Sequence, residues 1–387
     1  MKEIILLGAG ASVEAGVPAA YDMTKSLIEL LGGTPKHGHI VKFVVGGLLM
    51  QKGVKDENPF EGVNVEEVFS AIELLANREN IEAAPFIGSW HRLVEELDLI
   101  LPEQPRSSSA EGGRHSVKIP IRRTKRQRLF SLTQSQPGEG KSYKEVNDVM
   151  IHSLRKLVLV ENPKKVEYLL PMLQTKTQSN LTIATLNYDN TVELAAKSLG
   201  KDVQTGIIEW SKSGSFPKFD KGVCLLKLHG SIDWISLPKR SRLSQDNIVV
   251  LPSDELGKDG YFKPVVVFGQ RNKLTAEGPF LDLLRAFEEK LKEADRLTVI
   301  GYSFRDDHIN EQIRKWLNNA AGMIRIINNK EFPSTTIPFA RTLINLKERV
   351  EVLDLGAKDG IAKCFSTDKG NHSSPPRKST QFMSKFS

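Results

Sequence analysis

The fold of this chain is indicated by its opening segment, Ile4-Ile5-Leu6-Leu7-Gly8-Ala9-Gly10-Ala11-Ser12-Val13-Glu14-Ala15-Gly16-Val17-Pro18. Four apolar residues of a buried strand run directly into a glycine-rich turn, after which we expect a helix. Such a turn aims free backbone N–H groups and the positive end of a helix dipole at one point, which suits a phosphate or pyrophosphate. The spacing departs from the strict G-x-G-x-x-G pattern, so a structural turn without a ligand is the alternative interpretation.

Other apolar runs share the character of this first strand. Each is short, apolar on both faces and followed by polar residues or glycine. The runs are Leu181–Thr185, Leu225–Leu228, Leu297–Gly301 and Met323–Ile327. Buried parallel strands have this composition, and helical patterns lie between several of them. We therefore expect an α/β fold, a Rossmann-like open parallel sheet with helices on both sides and ligands at the carboxyl ends of the strands.

The stretch between the first two strands has helical periodicity instead. The segments concerned are Val65–Ala76, Ser89–Leu101 and Val146–Val160. Asn64 is a suitable N-cap, and two acids follow it in the first turn. We predict a helical subdomain at residues 31–174, inserted after the first βα unit, and a Rossmann-like sheet domain made of residues 1–30 and 175–365.

The positive charge of the chain is confined to two segments. The formal net charge is +7, yet residues 102–141 carry nine Lys or Arg against three acids, and residues 366–387 carry four against one, which leaves about two net negative charges elsewhere. A nucleic-acid surface over the whole protein is therefore not implied. The basic segment 102–141 predicts a flexible solvated loop or, alternatively, a contact arm for an acidic protein surface or nucleic acid. We expect a disordered tail at 366–387.

Cysteine usage and hydropathy bear on the compartment. Cys224 and Cys364 are far apart, without the spacing of a disulfide framework or a zinc finger. A reducing, cytoplasmic location is therefore expected. No window approaches the ~20 apolar residues of a membrane span, so no membrane association is predicted.

Polar side chains follow the second strand. Asn187 can both donate and accept, so it can hold a sugar hydroxyl or a water. Asp189 accepts only, and two ribose hydroxyls are natural donors to it. The alternative is that Asp189 or Asn190 caps the helix that begins at Thr191, and for Asp189 both interpretations stay open.

The strand Leu225–Leu228 ends at His229 and Gly230. A glycine at this point permits close approach of a substrate, and a histidine at a strand end is a candidate general base. A structural histidine is the alternative. Trp234 is expected to serve packing.

The last two strands also end in polar residues. Gly301-Tyr302-Ser303 is a turn that tolerates a phosphate and supplies a hydroxyl donor. Asn328, after the next strand, stands where doubly wound folds commonly bind the adenosine ribose. Asp306, Asp307 and His308 have no good single-metal spacing, so we predict a helix cap with a salt-bridge partner and no metal site.

In this order, the segments resemble motifs of the sirtuin superfamily. Gly8–Pro18 is similar to its GAGxS…GIP loop, Thr185–Asp189 to its TQNID motif, and His229-Gly230 to its catalytic His-Gly. Gly301-Tyr302-Ser303 is similar to its GTS turn, and Ile327-Asn328 to its ribose-binding Ile-Asn.

Two departures separate the chain from the protein-deacylating members. Ala19-Ala20-Tyr21 stands where they carry DFR, and their four-cysteine zinc ribbon is absent. The sequences Asn64–Ser70 and Gly301–Asn310 instead resemble the sirtuin-like NAD-hydrolysing proteins of prokaryotic anti-phage defence, some of which work beside a HerA-like motor ATPase.

The resemblance implies cleavage of the nicotinamide–ribose bond of NAD, with NAD as the substrate and no metal. Asn187 would orient the attacking water and the nicotinamide ribose. Asp189 would hold that ribose and favour its positive charge, and His229 would act as general base. The residues implied in binding the phosphates and adjoining sugars are Gly8, Ala9, Gly10, Ser12, Gly301 and Ser303, with Asn328 on the adenosine ribose.

The same resemblance implies a HerA-like motor ATPase as partner and a homo-oligomer. Nucleic acid could bind through that partner or through the basic loop. Two alternatives remain open: an NAD-dependent protein deacylase, and a non-catalytic module that senses NAD or ADP-ribose within a larger assembly.

Overall fold

A computed structural model describes residues 2–33, 35–55, 57–80, 91–98, 140–174, 180–219, 222–237, 246–252, 264–268, 278–319, 322–329 and 337–366. Its strands are β1 (Glu3–Leu7), β2 (Asn180–Thr185), β3 (Val203–Gln204), β4 (Gly222–Lys227), β5 (Gly230–Leu237), β6 (Asn247–Val250), β7 (Pro264–Val266), β8 (Arg296–Ile300), β9 (Met323–Asn328) and β10 (Val350–Asp354).

Seven of these described strands form one parallel sheet in the order β10-β9-β8-β1-β2-β4-β3. The strands β2, β4 and β3 lie on one side of β1, and β8, β9 and β10, which come later in the chain, lie on the other side. The order therefore changes direction beside β1, which is where open α/β sheets bind ligands. This architecture confirms the predicted Rossmann-like open parallel sheet.

Both faces of the sheet are buried. In β1, Ile5 and Leu7 belong to one apolar core, and Ile4 and Leu6 belong to a second core on the opposite face. Successive side chains of a strand point to opposite faces, so a continuous apolar run is what a sheet covered on both sides requires. This explains why the sequence of β1 lacks polar alternation.

Helices cover the two faces. Between β1 and β2 lie α1 (Ala20–Gly32), α2 (Pro35–Val54), α3 (Val65–Ala76), α4 (Arg92–Asp98), α5 (Lys141–Val158) and α6 (Leu170–Gln174). After β2 follow α7 (Thr191–Ser198), α8 (Ile207–Ser213), α9 (Phe280–Lys292), α10 (Asp307–Asn319), α11 (Pro338–Asn345) and α12 (Ala357–Phe365).

The start of α3 follows from its sequence. The Asn64 side chain accepts a hydrogen bond from the Glu66 backbone at 2.9 Å, and the Glu67 carboxylate accepts one from the Asn64 backbone at 3.1 Å. This reciprocal capping box satisfies backbone donors that the first helical turn leaves open. The predicted helix Val65–Ala76 and its N-cap are confirmed.

The other predicted helices differ in their bounds. The helix predicted over Val146–Val160 begins earlier, at Lys141, and ends at Val158. Of the helix predicted over Ser89–Leu101, the structure describes Arg92–Asp98 as helical. The basic segment and the tail lie outside the described residues, apart from Gly140, Lys141 and Ser366. The boundaries at 31–174 and 175–365 stay a prediction.

A second, antiparallel sheet was not predicted. It has the described order β6-β5-β7, and β5 begins at Gly230, directly after His229. The Val267 N–H, just after β7, donates to the His229 carbonyl at 3.0 Å. This sheet therefore extends the wall beside the carboxyl end of β4. Among the described residues, no helix combines the length and apolar composition needed to cross a lipid bilayer.

Candidate functional site

The predicted catalytic side chains Asn187 and His229 lie at the ends of neighbouring strands. In the parallel register of β2 and β4, Thr185 stands opposite Lys227, and the Leu228 N–H donates to the Thr185 carbonyl at 2.9 Å. Asn187 and His229 each follow two residues later. The two residues therefore reach the carboxyl edge of the sheet at the same level.

The Asn187 side chain joins the end of β2 to the glycine-rich loop. Its Nδ2 donates to the Gly8 carbonyl and to the Ser12 hydroxyl, both at 2.9 Å. A carbonyl can only accept, so these contacts fix the orientation of the amide. Both amide hydrogens are thereby committed, and none of the described residues bonds to Oδ1, so this oxygen can accept from a water or a sugar hydroxyl.

The glycine-rich loop differs from its expected form. Instead of one α-helix, two short 3-10 turns, Ala9–Ala11 and Val13–Ala15, precede α1. The backbone N–H groups at residues 8, 10, 11 and 12 donate to carbonyls within the protein. The expectation that these N–H groups are free for a phosphate is therefore wrong for those four residues, because the tight turns and the neighbouring strand use them.

The glycines of this loop permit close packing of two backbones. The Gly10 N–H donates to the Gly301 carbonyl at 2.9 Å, and a Cβ at Gly8 would stand 2.6 Å from that same carbonyl oxygen. Gly301 itself has a left-handed backbone, with φ +64°. Glycine is required at Gly301 by conformation and at Gly8 by contact with the loop after β8. Whether Gly8, Ala9, Gly10 and Gly301 also bind a dinucleotide stays a prediction.

Asp189 bonds to Thr191, the first residue of the helix that follows β2. Its Oδ1 accepts from the Thr191 N–H at 3.0 Å and from the Thr191 hydroxyl at 2.6 Å, just before α7 begins. The carboxylate is buried. The N-cap residue of α7 is Asn190, whose side chain makes no cap bond to the helix. Asp189 is thus bonded to the first residue of α7, and a ribose contact by Asp189 stays a prediction.

A buried lysine ties this segment to β4. The Lys227 Nζ donates to the Asp189 carbonyl at 2.6 Å and to the Glu193 carboxylate at 2.7 Å. Burial lowers the pKa of Lys227, but the carboxylates of Glu193 and Asp233 raise it above its ordinary value, so the ammonium keeps its charge. The segment after β2 is therefore fixed to the strand that carries His229.

His229 has a carboxylate partner that was not identified from the sequence. Its Nε2 lies 2.9 Å from Oδ2 of Asp306, and the two side chains are only 7% and 5% exposed. Asp306 also accepts from the His308 N–H at 3.1 Å, as the cap of α10. The predicted helix cap is confirmed, and His229 is the side chain that contacts the other carboxylate oxygen of Asp306.

The two remaining predicted binding residues lie on the other side of β1. Ser303 is exposed in the turn after β8. Asn328 is the last residue of β9, and its Nδ2 donates to the Tyr302 carbonyl at 3.1 Å. Ser12, in the glycine-rich loop, is buried and accepts a hydrogen bond from Asn187.

Each predicted site residue therefore lies at or beyond the carboxyl edge of the sheet.

The inserted helices contribute to the wall of the site, which the sequence did not reveal. The Tyr188 hydroxyl, next to Asn187, donates to the Val267 carbonyl at 3.0 Å and lies 3.3 Å from the Glu66 carboxylate on α3. Phe69 of α3 stacks on Phe268, with ring centroids 3.9 Å apart. Burial raises the pKa of Tyr188, and Glu66 raises it further, so the phenol stays protonated.

One family profile matches part of the chain. Residues 181–332 match the family profile of a SIR2-like domain. That region contains Asn187, His229, Asp306 and Asn328. No curated protein matches the chain.

Solved sirtuin structures align with most of the chain at low similarity. The structure of Sir2Tm bound to a propionylated peptide has 14% identity and a TM-score of 0.36, with 94% of this chain and 91% of that chain covered. A complex of a Sir2 homologue with NAD has 14% identity and a TM-score of 0.34, with 93% and 86% covered. Within the described residues, no three His, Cys, Asp or Glu side chains are grouped as a metal site would require.

Proposed function

We propose that this protein is an NAD hydrolase that cleaves the nicotinamide–ribose bond to give nicotinamide and ADP-ribose. The observation that carries the proposal is that Asn187 and His229 each lie two residues beyond the paired ends of the neighbouring strands β2 and β4, with Asn187 bonded to the glycine-rich loop. The match of residues 181–332 to a SIR2-like domain supports NAD as the ligand.

The chemistry requires a positioned sugar and a water. The bond between the ribose C1′ and the nicotinamide nitrogen breaks, and nicotinamide leaves neutral because its ring takes the bonding electrons. The ribose then has oxocarbenium character, and a water oxygen attacks C1′. The water loses one proton, so the balanced products are nicotinamide, ADP-ribose and a proton.

The residues present fit these tasks. The free Oδ1 of Asn187 would accept a hydrogen bond from the attacking water or from a ribose hydroxyl. His229 would accept the proton of the water. The buried Asp189 carboxylate would favour the positive charge of the sugar. Pre-organised charge of this kind is worth more in a water-poor site than in bulk solvent.

The test compares NAD consumption and nicotinamide release by the wild type, Asn187→Ala and His229→Ala. We expect His229→Ala to lower kcat by about 10²–10⁴, the usual contribution of a positioned general base. We expect Asn187→Ala to lower kcat by on the order of 10², because misplaced reactants react more slowly. His39→Ala serves as the histidine control, because His39 is exposed on α2. Equal rates in the wild type and both site variants would contradict the assignment of these residues.

The deacylase alternative is tested on the same preparations. An acyl-lysine peptide is incubated with NAD, and peptide deacylation is compared with nicotinamide released in the absence of peptide. Our proposal expects nicotinamide release without peptide. Release that depends strictly on the acyl peptide would favour the deacylase.

We extend the proposal to anti-phage defence beside a HerA-like motor ATPase, on the basis of the sequence resemblance. An unrestrained NAD hydrolase would deplete its own cell, so a partner or a trigger is expected to control it. The assay is therefore run on the full chain alone, with the ATPase, and with nucleic acid. Co-elution with the ATPase in size-exclusion chromatography supports the pairing, and separate elution contradicts it.

A further inference from the structure

We propose that Asp306 is a positioning residue that fixes the tautomer and the orientation of the His229 imidazole. This inference rests on the proposed function for its kinetic consequence, but its structural content is independent of NAD cleavage. The supporting geometry is the contact of 2.9 Å between His229 Nε2 and Asp306 Oδ2, with both side chains buried.

The carboxylate decides which ring nitrogen carries the proton. An ionised carboxylate has acceptors only, so the imidazole nitrogen that faces it must be the donor. In a neutral imidazole the other nitrogen then has a free lone pair. Asp306 therefore makes Nε2 the N–H and leaves Nδ1 as the base, in the way a buried aspartate orients the histidine of a hydrolase triad.

Asp306 is itself held from several sides. Its backbone N–H donates to the Tyr302 hydroxyl at 3.1 Å, and its Oδ1 accepts from the His308 N–H at 3.1 Å. Burial raises the pKa of Tyr302, and the Asp306 carboxylate raises it further, so the phenol keeps its proton. Oδ1 of Asp306 therefore accepts from the first turn of α10, and Oδ2 contacts the imidazole of His229.

The path of the loop brings this carboxylate to His229. Phe304 has a positive φ of 58°, the sole non-glycine residue with such a value among the described residues. The Asn310 side chain donates to the Phe304 carbonyl at 2.8 Å and holds this turn. A left-handed conformation is unfavourable for a non-glycine residue. This unfavourable conformation occurs two residues before Asp306, in the loop that places its carboxylate beside His229.

A plain helix cap is the competing explanation, and one substitution separates the two. Asparagine caps a helix about as well as aspartate. In Asp306→Asn the amide oxygen can still accept from His308, and the NH₂ group then faces the imidazole. The facing nitrogen must now accept, so the tautomer of His229 should change from Nε2–H to Nδ1–H.

The experiment uses the full chain with ¹⁵N-labelled histidine, and His229 is assigned by the signal lost in His229→Gln. We expect the Nε2–H tautomer in the wild type and in Asp307→Asn, the matched control at the next position, which is exposed. We expect the Nδ1–H tautomer in Asp306→Asn. We also expect kcat for NAD cleavage to fall by about 10²–10⁴ in Asp306→Asn, with KM changed less than about threefold.

The outcomes separate the two proposals. The same His229 tautomer in the wild type and in Asp306→Asn would overturn the role of Asp306. A tautomer change between the wild type and Asp306→Asn would support the role of Asp306 even if the wild type never cleaves NAD. That lack of cleavage would contradict the proposed hydrolase activity. Should Asp306→Asn fail to fold, Asp306→Ser keeps a capping hydroxyl but is too short to reach the imidazole, and it should give a mixture of tautomers. A single Nε2–H tautomer in Asp306→Ser would also overturn the inference.

Discussion

Gly301 has a left-handed backbone conformation and packs against the backbone of the glycine-rich loop. The contact between the two loops therefore depends on this one residue. A Cβ at Gly301 would collide with the Ala11 nitrogen and with the Gly10 backbone. Exposed glycines of α2, such as Gly46, would meet nothing within 4 Å. The same residue type is therefore required at one position and carries no such requirement at the other.

This contrast gives a matched pair of substitutions. Gly301→Ala should lower the free energy of unfolding by at least about 2 kcal/mol, because it adds left-handed strain to a backbone collision. Gly46→Ala should raise it by up to about 1 kcal/mol, the helix preference of alanine over glycine. Urea unfolding followed by circular dichroism measures both. A Gly301→Ala protein as stable as the wild type would contradict the close packing of the loops.

At the residue scale, some site residues can be predicted from the sequence and others cannot. Asn187 and His229 are visible because each directly follows an apolar strand, and strand ends meet at one edge. Asp306 lies 77 residues after His229. Its contact depends on the left-handed turn at Phe304, and no local pattern predicts a left-handed phenylalanine. Glu66 reaches Tyr188 through tertiary packing alone, so it was equally hidden.

At the scale of elements, a buried ion pair holds the helical part of the chain together. Arg78 Nη2 donates to the Asp98 carboxylate at 2.7 Å, and both side chains are almost fully buried. The same carboxylate accepts from the backbone N–H groups of Gly140 and Ser142, at 2.8 and 3.0 Å. Asp98 therefore joins the end of α4 to the start of α5.

Removing that carboxylate should be costly. In Asp98→Ala the buried Arg78 guanidinium loses its bond to this carboxylate, and two backbone donors lose their acceptor, so we expect a loss of about 3–5 kcal/mol in unfolding free energy. Glu96→Ala is the control, because Glu96 pairs with Arg92 on the surface and should change stability by under about 0.5 kcal/mol. Similar losses in the two variants, measured by urea unfolding, would refute a structural role specific to Asp98.

Elements were predictable where burial was two-sided. The strands β1, β2, β4, β8 and β9 are short and mainly apolar, and each was predicted within a few residues. The edge strand β10 was missed because its residues are half-buried or exposed. The strand β5 was missed because it follows His229 with no intervening turn sequence, and its pairing partners, β6 and β7, come later in the chain.

At the scale of the whole molecule, two apolar cores sandwich one parallel sheet, and the candidate site lies along its carboxyl edge. A dinucleotide bound there would contact the loops after β1, β2, β4, β8 and β9 together. It would connect segments that are distant in the chain. Binding should therefore stabilise the folded protein as a whole.

Thermal unfolding tests this consequence. ADP-ribose at about 100 times its Kd should add about 2.7 kcal/mol to the unfolding free energy and raise Tm by roughly 3 °C. Ribose 5-phosphate, which lacks the adenosine and the pyrophosphate, is the control and should give a smaller shift. Identical Tm values with ADP-ribose and with buffer would contradict a dinucleotide site.

The most direct test of the account is a crystal structure of His229→Ala with NAD bound. We predict that the C1′ atom of the nicotinamide ribose lies beside Asn187 and the position vacated by the imidazole, with room for a water about 3–3.5 Å from C1′. The pyrophosphate should lie near the loops after β1 and β8. Electron density that places the nicotinamide ribose away from Asn187 and residue 229, or a carboxyl edge that stays empty at saturating NAD, would contradict the proposed hydrolysis.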